Sequence, residues 1–534
     1  MSNGPGGGAG TTAGAVEPGA RAGRREWIGL AVLALACVLY SMDLTVLHLA
    51  VPAISADLAP SSAQLLWIVD IYGFLLAGAL ITMGTLGDRI GRRRLLLIGA
   101  AAFGIASLFA AFSTSAEMLI AARALLGLAG ATLAPSTLSL IRTMFVDPHQ
   151  RTVAIGVWIT SFSAGAVIGP PLGGILLEFF WWGSVFLLAV PVMVVLLLLG
   201  PVLLPECRDP EERRFDLLGA GLSLAAVLAV VYGLKQAAQD GFGWPQALSV
   251  AAGLAVGIAF VRRQRTCAAP LVDPRLFRIP AFSVSLVTYL LATFIAFAAF
   301  LFIFQYLQLV LGKSPFVAAL WSMPSFAAFI VGSMLTPQIV RRVRPAYVMA
   351  GGLAVAAVGY ALLTQVDGDS ALALVVSASV VFSLGEAPAF TLATDLIVGT
   401  APSERAGTAA AISETSSELG GALGIAILGT IGAAVYRSEV AVPAAVPPEV
   451  AENARDTLGG AVASSSELPA ALSAELLDSA REAFTQGLQI AGLTSAVIAA
   501  ATAAMVAVAL RRVQPAWALE SEPAQAAAEA EAGA

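Results

Sequence analysis

Charge is scarce in this sequence. Of 534 residues only 12% are Asp, Glu, Lys or Arg, against about 25% in an ordinary soluble domain. That shortage excludes a soluble globular enzyme. Histidine is scarcer still: His48 and His149 are the only two, which excludes a His-based metal site. The three cysteines, Cys37, Cys207 and Cys267, lie far apart. They have no metal-ligand spacing and suggest no disulfide framework. No GxxxxGK[ST] loop is present, and no soluble stretch is long enough for an ATPase domain, so energy must come from an ion gradient or a partner. The net charge of -6 says little, because in a membrane protein the placement of charge matters more than its sum.

What the chain has is apolar length. Hydrophobic residues make up 58% and the mean hydropathy is +0.85, so a polytopic, all-α membrane protein is expected. A crossing needs about 20 apolar helical residues. Fourteen runs qualify: 27–53, 63–86, 95–113, 117–141, 152–177, 182–204, 217–236, 246–261, 281–310, 316–340, 346–365, 371–398, 408–436 and 485–510. The first is too long for a signal-peptide core and is read as a retained span. Residues 1–20, rich in Gly, Ala and Thr, are expected to be disordered.

Basic residues test that count. If the N-terminus is cytoplasmic, 23 of the 29 Lys and Arg fall on inner segments, five on outer segments and one, Arg123, inside a span. Dropping one span would invert every later loop and ruin the asymmetry. Both termini are therefore expected on the cytoplasmic side. The last outer segment, 437–484, carries eight acids and three arginines. It reads as a small helical hairpin or as a solvated loop.

Several stretches carry sharper information. GTLGDRIGRRRLLLIG, residues 84–99, has glycines suited to a tight turn and close helix approach. Its Asp88 can pair with an arginine or cap the next helix with its carboxylate near that helix's N-terminus. Residues 332–344, GSMLTPQIVRRVR, echo it without the acid, which suggests two related halves. Four others are MDLTVLHLAVP (42–52), WIVDIYGFLLAG (67–78), LIAARALLGLAGA (119–131) and GAVIGPPLGG (165–174). On these stretches the chain resembles the major facilitator superfamily, its 14-span drug:proton antiporter branch, and QacA-like multidrug exporters within that branch. His48 departs from the Asn or apolar residue usual in related sequences, and its role stays open.

The resemblance implies two six-helix bundles, 27–204 and 281–510, joined by a linker with two inserted spans, 205–280. The cytoplasmic ends would be 1–26 and 511–534. It implies one central cavity opening alternately to each side, and proton-driven export of lipophilic cations from a bacterial inner membrane. No cofactor beyond the proton gradient is expected, nor a nucleic-acid partner. The partners would be small lipophilic cations, protons and membrane lipid, and the chain would act as a monomer.

Ionisable residues at bilayer depth are costly and mark function. At about 1.5 Å per residue, Asp43 lies about 24 Å from the inner end of its span, while Asp70 and Arg123 lie about 10 Å from the outer ends of theirs. The three therefore share a height, and Arg123 can pair with either acid. A carboxylate beside Arg stays ionised; one buried without it takes up a proton more readily. Asp43 is the leading proton carrier on this reading, with Asp70, Arg123 and Glu414 as further proton-coupling residues. A permanent structural Asp–Arg pair is the alternative. Glu386 in span twelve and Glu418 in span thirteen are the leading cation ligands, with Glu414 one turn from Glu418 on the same face. Trp158 and Phe162 could add aromatic faces. Gly165, Gly169, Gly173 and Gly174 have small-residue spacing for close packing, and Pro170 should bend the span. Gly84, Asp88, Arg89, Gly91, Arg92 and the interfacial Asp395 are gating candidates. Two other functions remain: export of an endogenous antibiotic or lipid metabolite, and a non-transporting membrane receptor.

Overall fold

The computed structural model describes residues 21–58, 60, 62–206, 216–240, 243–267, 270–367, 371–402 and 405–513. No strand occurs among them. The first helices are α1 (Arg24–Leu58), α2 (Ser62–Ile90), α3 (Arg92–Ala111), α4 (Ala116–Gly130), α5 (Leu133–Met144), α6 (Pro148–Phe179), α7 (Ser184–Leu187) and α8 (Ala189–Leu203). Then come α9 (Leu217–Asp240), α10 (Trp244–Thr266), α11 (Pro280–Gln305), α12 (Pro315–Val340), α13 (Pro345–Leu362), α14 (Ala371–Thr400), α15 (Ala406–Glu439), α16 (Pro448–Asp456), α17 (Leu458–Ser464) and α18 (Ala470–Ala509). Twelve stretches of these helices are long and apolar enough to cross a membrane, and Leu218–Leu234 is a shorter apolar helix.

Local chemistry sets the ends. Ser115 accepts from the Met118 N–H at the start of α4. Asp147 does the same from Gln150 before α6, whose first residue is Pro148. Both satisfy orphan donors of a first turn. Gly91 separates α2 from α3 with φ +107°, a conformation that L side chains rarely adopt. The expected fourth span is split at Ala131–Thr132. Pro135 has no N–H for the Ala131 carbonyl, and the Thr132 hydroxyl donates to Ala129 O at 2.7 Å.

Helices α1–α8 share one core, rich in fully buried Leu33, Phe103, Leu138 and Ile155. Helices α11–α15 and α18 build the other, around Tyr360, Phe382 and Leu488. The two sets meet where α2 packs on α15 and α6 packs on α12. Helix α9 lies against α2, and α10 packs on α9. Asp216, ahead of α9, caps Gly219 N and takes a guanidinium bond from Arg263 at 2.7 Å. That Arg263 contact holds its carboxyl below the usual carboxylate range. Asp273 in the next connection pairs with Arg405 at the start of α15 at 2.6 Å, so the inserted helices are tied to the second set.

Residues 437–484 are largely helical. Helices α16 and α17 are short, whereas the acidic segment after Pro469 is continuous with the 40-residue α18.

Candidate functional site

Asp43 lies in the middle of α1, and Arg123 reaches it from α4. Arg123 Nη1 donates to Asp43 Oδ2 at 2.8 Å and Nε donates to the Ile68 carbonyl at 3.2 Å. The guanidinium also lies over the Tyr72 ring, 4.5 Å from its centroid, a favourable cation–π placement. Arg123 is 1% exposed. A buried charge is tolerated only when paired and hydrogen-bonded, and this one has a carboxylate partner, a carbonyl acceptor and an aromatic face. Asp43 also borders a cavity of about 10 Å³, shared with Met42, Val46 and Phe186, about room for one water. Of the two acids open to Arg123, the structure pairs Asp43. The side chains of Asp70 and His48 lie outside the described residues. Tyr72, which sequence reasoning missed, was signalled only by its place one turn after Ile68 on α2.

The second acidic group is on α15. Glu414 is buried, and among the described residues its Oε1 has no hydrogen-bond partner. Glu418, one turn on, is half-buried. Helix α15 packs on α2 and α5 across the seam between the two helix sets. Aromatic rings continue from there. Tyr40 packs edge-on against Phe162 at 5.6 Å, and Phe162 against Trp158 at 4.7 Å. Tyr289 meets Phe390 at 5.3 Å. Trp158 is 1% exposed and its indole donates to Thr137 Oγ1 at 3.0 Å. It backs Phe162 rather than presenting a face of its own.

Glu386 departs from the expected cluster. It is 2% exposed and accepts the Tyr360 hydroxyl at 2.6 Å on the seam of α13 and α14. Tyr360 is in turn stacked on Phe382 at 4.6 Å. The reason is rotational. Nine residues separate Glu386 from Asp395, about 180° around a helix, and Asp395 faces α6. Glu386 thus points away from the seam where Glu414 and Glu418 lie.

The arginine-rich end of the molecule is bolted shut. Asp88 pairs with Arg92 at 2.8 Å. It also accepts from Gly407 N at 3.2 Å, Thr408 N at 3.1 Å and Thr408 Oγ1 at 2.9 Å. A carboxylate on the N-terminus of α15 is favoured by the helix dipole. Close approach makes these bonds reachable: a Cβ on Gly84 would sit 2.6 Å from Ala411 Cβ and 2.7 Å from Gly407 O. Arg89 of the same motif is exposed, and a Cβ on Gly91 would strike Glu206. A second bolt joins α6 to α14, where Arg151 and Thr152 hold Asp395 at 2.8 and 2.9 Å. Arg142 donates to the carbonyls of Gly399 and Pro402. Neither arginine was singled out by the sequence; position in the first turn of α6 was the only signal for Arg151.

Removing one partner of a largely buried pair costs about 3 kcal/mol. Asp395→Ala is therefore expected to weaken closure of this end. Spin labels at the exposed positions Arg94 and Arg341 should report one separation in the parent and an added, longer one in the variant. An unchanged distance distribution would remove this pair from the gate.

Helix α6 carries the glycine motif and runs unbroken from Pro148 to Phe179, so Pro170 does not end it. The side chain of Pro170 lies outside the described residues. Gly165 and Gly173 face α1: a Cβ on Gly165 would strike the Val38 carbonyl, and one on Gly173 would lie 2.8 Å from Val46 Cγ1. Gly169 is buried. A Cβ on Gly174 would meet nothing within 4 Å. Overpacking against backbone costs about 1–3 kcal/mol. Gly165→Ala should lower the thermal unfolding midpoint and Gly174→Ala should leave it within error. Equal midpoints would refute the packing role of the first.

Two helical sets joined along a seam, with charge pairs at one end and carboxylates within, define a membrane transport protein rather than an enzyme. The chain belongs to the Major Facilitator Superfamily, whose sequence profile matches residues 33–425. It is 45% identical to the multidrug efflux pump LfrA of Mycolicibacterium smegmatis, over 91% of this chain and 97% of that one. It is 35% identical to the methyl viologen resistance protein SmvA of Salmonella typhimurium, over 86% and 93%. It is 32% identical to the tetracenomycin C resistance and export protein of Streptomyces glaucescens, over 92% and 93%. The fold matches the crystal structure of the human organic anion transporter MFSD10 with a TM-score of 0.61 at 13% identity, covering 90% of this chain and 99% of that one.

Proposed function

We propose that this chain is a proton-coupled antiporter that exports lipophilic organic cations, such as quaternary ammonium compounds, dyes and biguanides, by alternating access. The observation that carries the reading is an asymmetry across one seam. Asp43 is balanced by Arg123, while Glu414, on the α15 helix that packs on α2 and α5 from the other set, keeps an oxygen without a hydrogen-bond partner among the described residues. A buried carboxylate such as Glu414 attracts a cation from outside, and a cation held there competes with protons for the same group. Relatives support the substrate class, since methyl viologen is an organic dication and LfrA is a multidrug pump.

The chain crosses the membrane fourteen times on this reading, by α1, α2, α3, α4–α5, α6, α7–α8, α9 to α15 taken singly, and α18. The arginine-rich end is cytoplasmic, as the bias of Lys and Arg requires. The conformation described is then closed to the cytoplasm. Asp43 is paired with Arg123 here; both stand in the first helix set, so Asp43 takes up a proton when α1 shifts against α4 as access changes sides. Asp70 and Glu414 share that proton traffic. Glu418 and Glu414 hold the cation, with Phe162, backed by Trp158, as an aromatic wall. Glu386, tied to Tyr360, braces α13 on α14 instead. Asp88, Arg89, Arg92, Asp395 and the glycines of α2 and α6 set the closed geometry.

A second reading, export of an endogenous antibiotic or lipid metabolite, is favoured by the similarity to the tetracenomycin C exporter. Purified protein in liposomes separates the two. Proton flux on adding ethidium or a quaternary ammonium cation supports the first. Flux only with a native metabolite supports the second, and no flux with either would return the chain to a receptor role.

A further inference from the structure

We propose that the cleft between Arg344, Tyr347, Arg511 and Arg512 binds the phosphate headgroup of an anionic phospholipid. The cleft measures about 400 Å³ and those four residues line it. It joins two segments far apart in the chain: the connection from α12 to α13, and the turn that ends α18. Arg344 Nη1 donates to the Arg511 carbonyl at 3.1 Å, which fixes their relative position. Among the described residues no carboxylate lines the cleft.

Positive-inside bias explains arginines at this end of the molecule. It does not explain why guanidinium groups from two separate segments share one concavity, since like charges brought together repel. A phosphate resolves that conflict. Arginine offers it paired N–H donors in a planar fork, and the Tyr347 hydroxyl can add another. Tyr347 is 52% exposed, so its hydroxyl needs no rearrangement to reach a ligand. The surroundings favour a lipid over a free anion. Ile339, Val343 and Val508, each within five residues of a lining residue in sequence, are 44%, 39% and 66% exposed, apolar surface of the kind acyl chains cover. Basic pockets between spans at this boundary are the geometry that acidic headgroups occupy.

The test uses the full chain, purified and delipidated, then offered phosphatidylglycerol or phosphatidylcholine of the same acyl length. Bound lipid is counted by native mass spectrometry. The parent should retain phosphatidylglycerol about tenfold over phosphatidylcholine, and R511Q/R512Q should lose that preference. R341Q/R342Q, which removes equal charge from the neighbouring turn, should keep it. Tyr347→Phe, which removes one hydroxyl and leaves the arginines in place, should lower retention about threefold. An unchanged preference in R511Q/R512Q, or equal loss in R341Q/R342Q, would overturn the site. Displacement by glycerol 3-phosphate without any preference between the two lipids would assign it to a soluble phosphate and overturn the lipid.

Discussion

Asp43→Asn should abolish proton-driven efflux while sparing substrate exchange that needs no proton. A carboxamide keeps the size of the side chain and one acceptor for Arg123, yet cannot ionise. The variant also leaves Arg123, 1% exposed, without its counter-charge, which costs about 3–5 kcal/mol when the pair is buried. Folding and coupling must therefore be read separately. The thermal midpoint reports the first. The second is read in liposomes as uptake against an imposed pH gradient, compared with one-for-one substrate exchange at equal pH. The expected pattern is a loss of at least about a hundredfold in gradient-driven uptake, for which a barrier rise of about 3 kcal/mol suffices, with exchange retained. Asp43→Glu, which restores a titratable group, should recover part of the gradient response. Normal pH-dependent transport by the carboxamide variant would remove Asp43 from the mechanism.

Glu418→Gln should weaken cations and leave neutral ligands nearly untouched. At a separation of about 5 Å and an effective dielectric of about 20, one charge pair is worth about 3 kcal/mol. Part of that is lost in desolvating both partners, so a fall of about tenfold or more in cation affinity is expected. Glu414→Gln should act in the same direction, because its carboxylate lies one turn away on the same face. The readout is binding of a cationic dye and of an uncharged analogue of similar shape. Equal losses for both would point to lost packing, and unchanged cation affinity would take Glu418 out of the site.

Much of this arrangement was legible from spacing and depth. Helix rise alone put Asp43 and Arg123 at one height, and the structure joins them at 2.8 Å. The loop around Asp88 read as a tight turn with a carboxylate near a helix N-terminus. Sequence adjacency points to the next helix, α3; the structure instead puts the carboxylate on the N-terminus of α15, more than 300 residues on. Rotation was harder to see. Glu386 has a mid-membrane depth, but its direction depends on which neighbour α14 turns toward, and only tertiary packing fixes that. For the same reason no partner for Asp395 can be read from spacing, because its arginine lies on the other half of the molecule. The split between α4 and α5 was hidden because Gly130, Thr132 and Pro135 sit in a run apolar enough to read as one helix. The first third of the 40-residue α18 is too acidic to count as part of a span, so the sequence presents it as a helix of the outer hairpin rather than as the start of the last crossing.

The central claim is that Asp43 changes its charge as access changes sides. Infrared difference spectra of protein locked in each orientation test it most directly. A disulfide between Gly156→Cys and Ser333→Cys would lock the form described here, since Ser333 Oγ lies 3.4 Å from the Gly156 carbonyl. An inward-open form can be trapped by breaking the bolts at Asp88 and Asp395. The account predicts a protonated-carboxyl band, absent from Asp43→Asn, in the inward-open form and missing from the locked one. A carboxylate signal from Asp43 that is identical in both forms would contradict it.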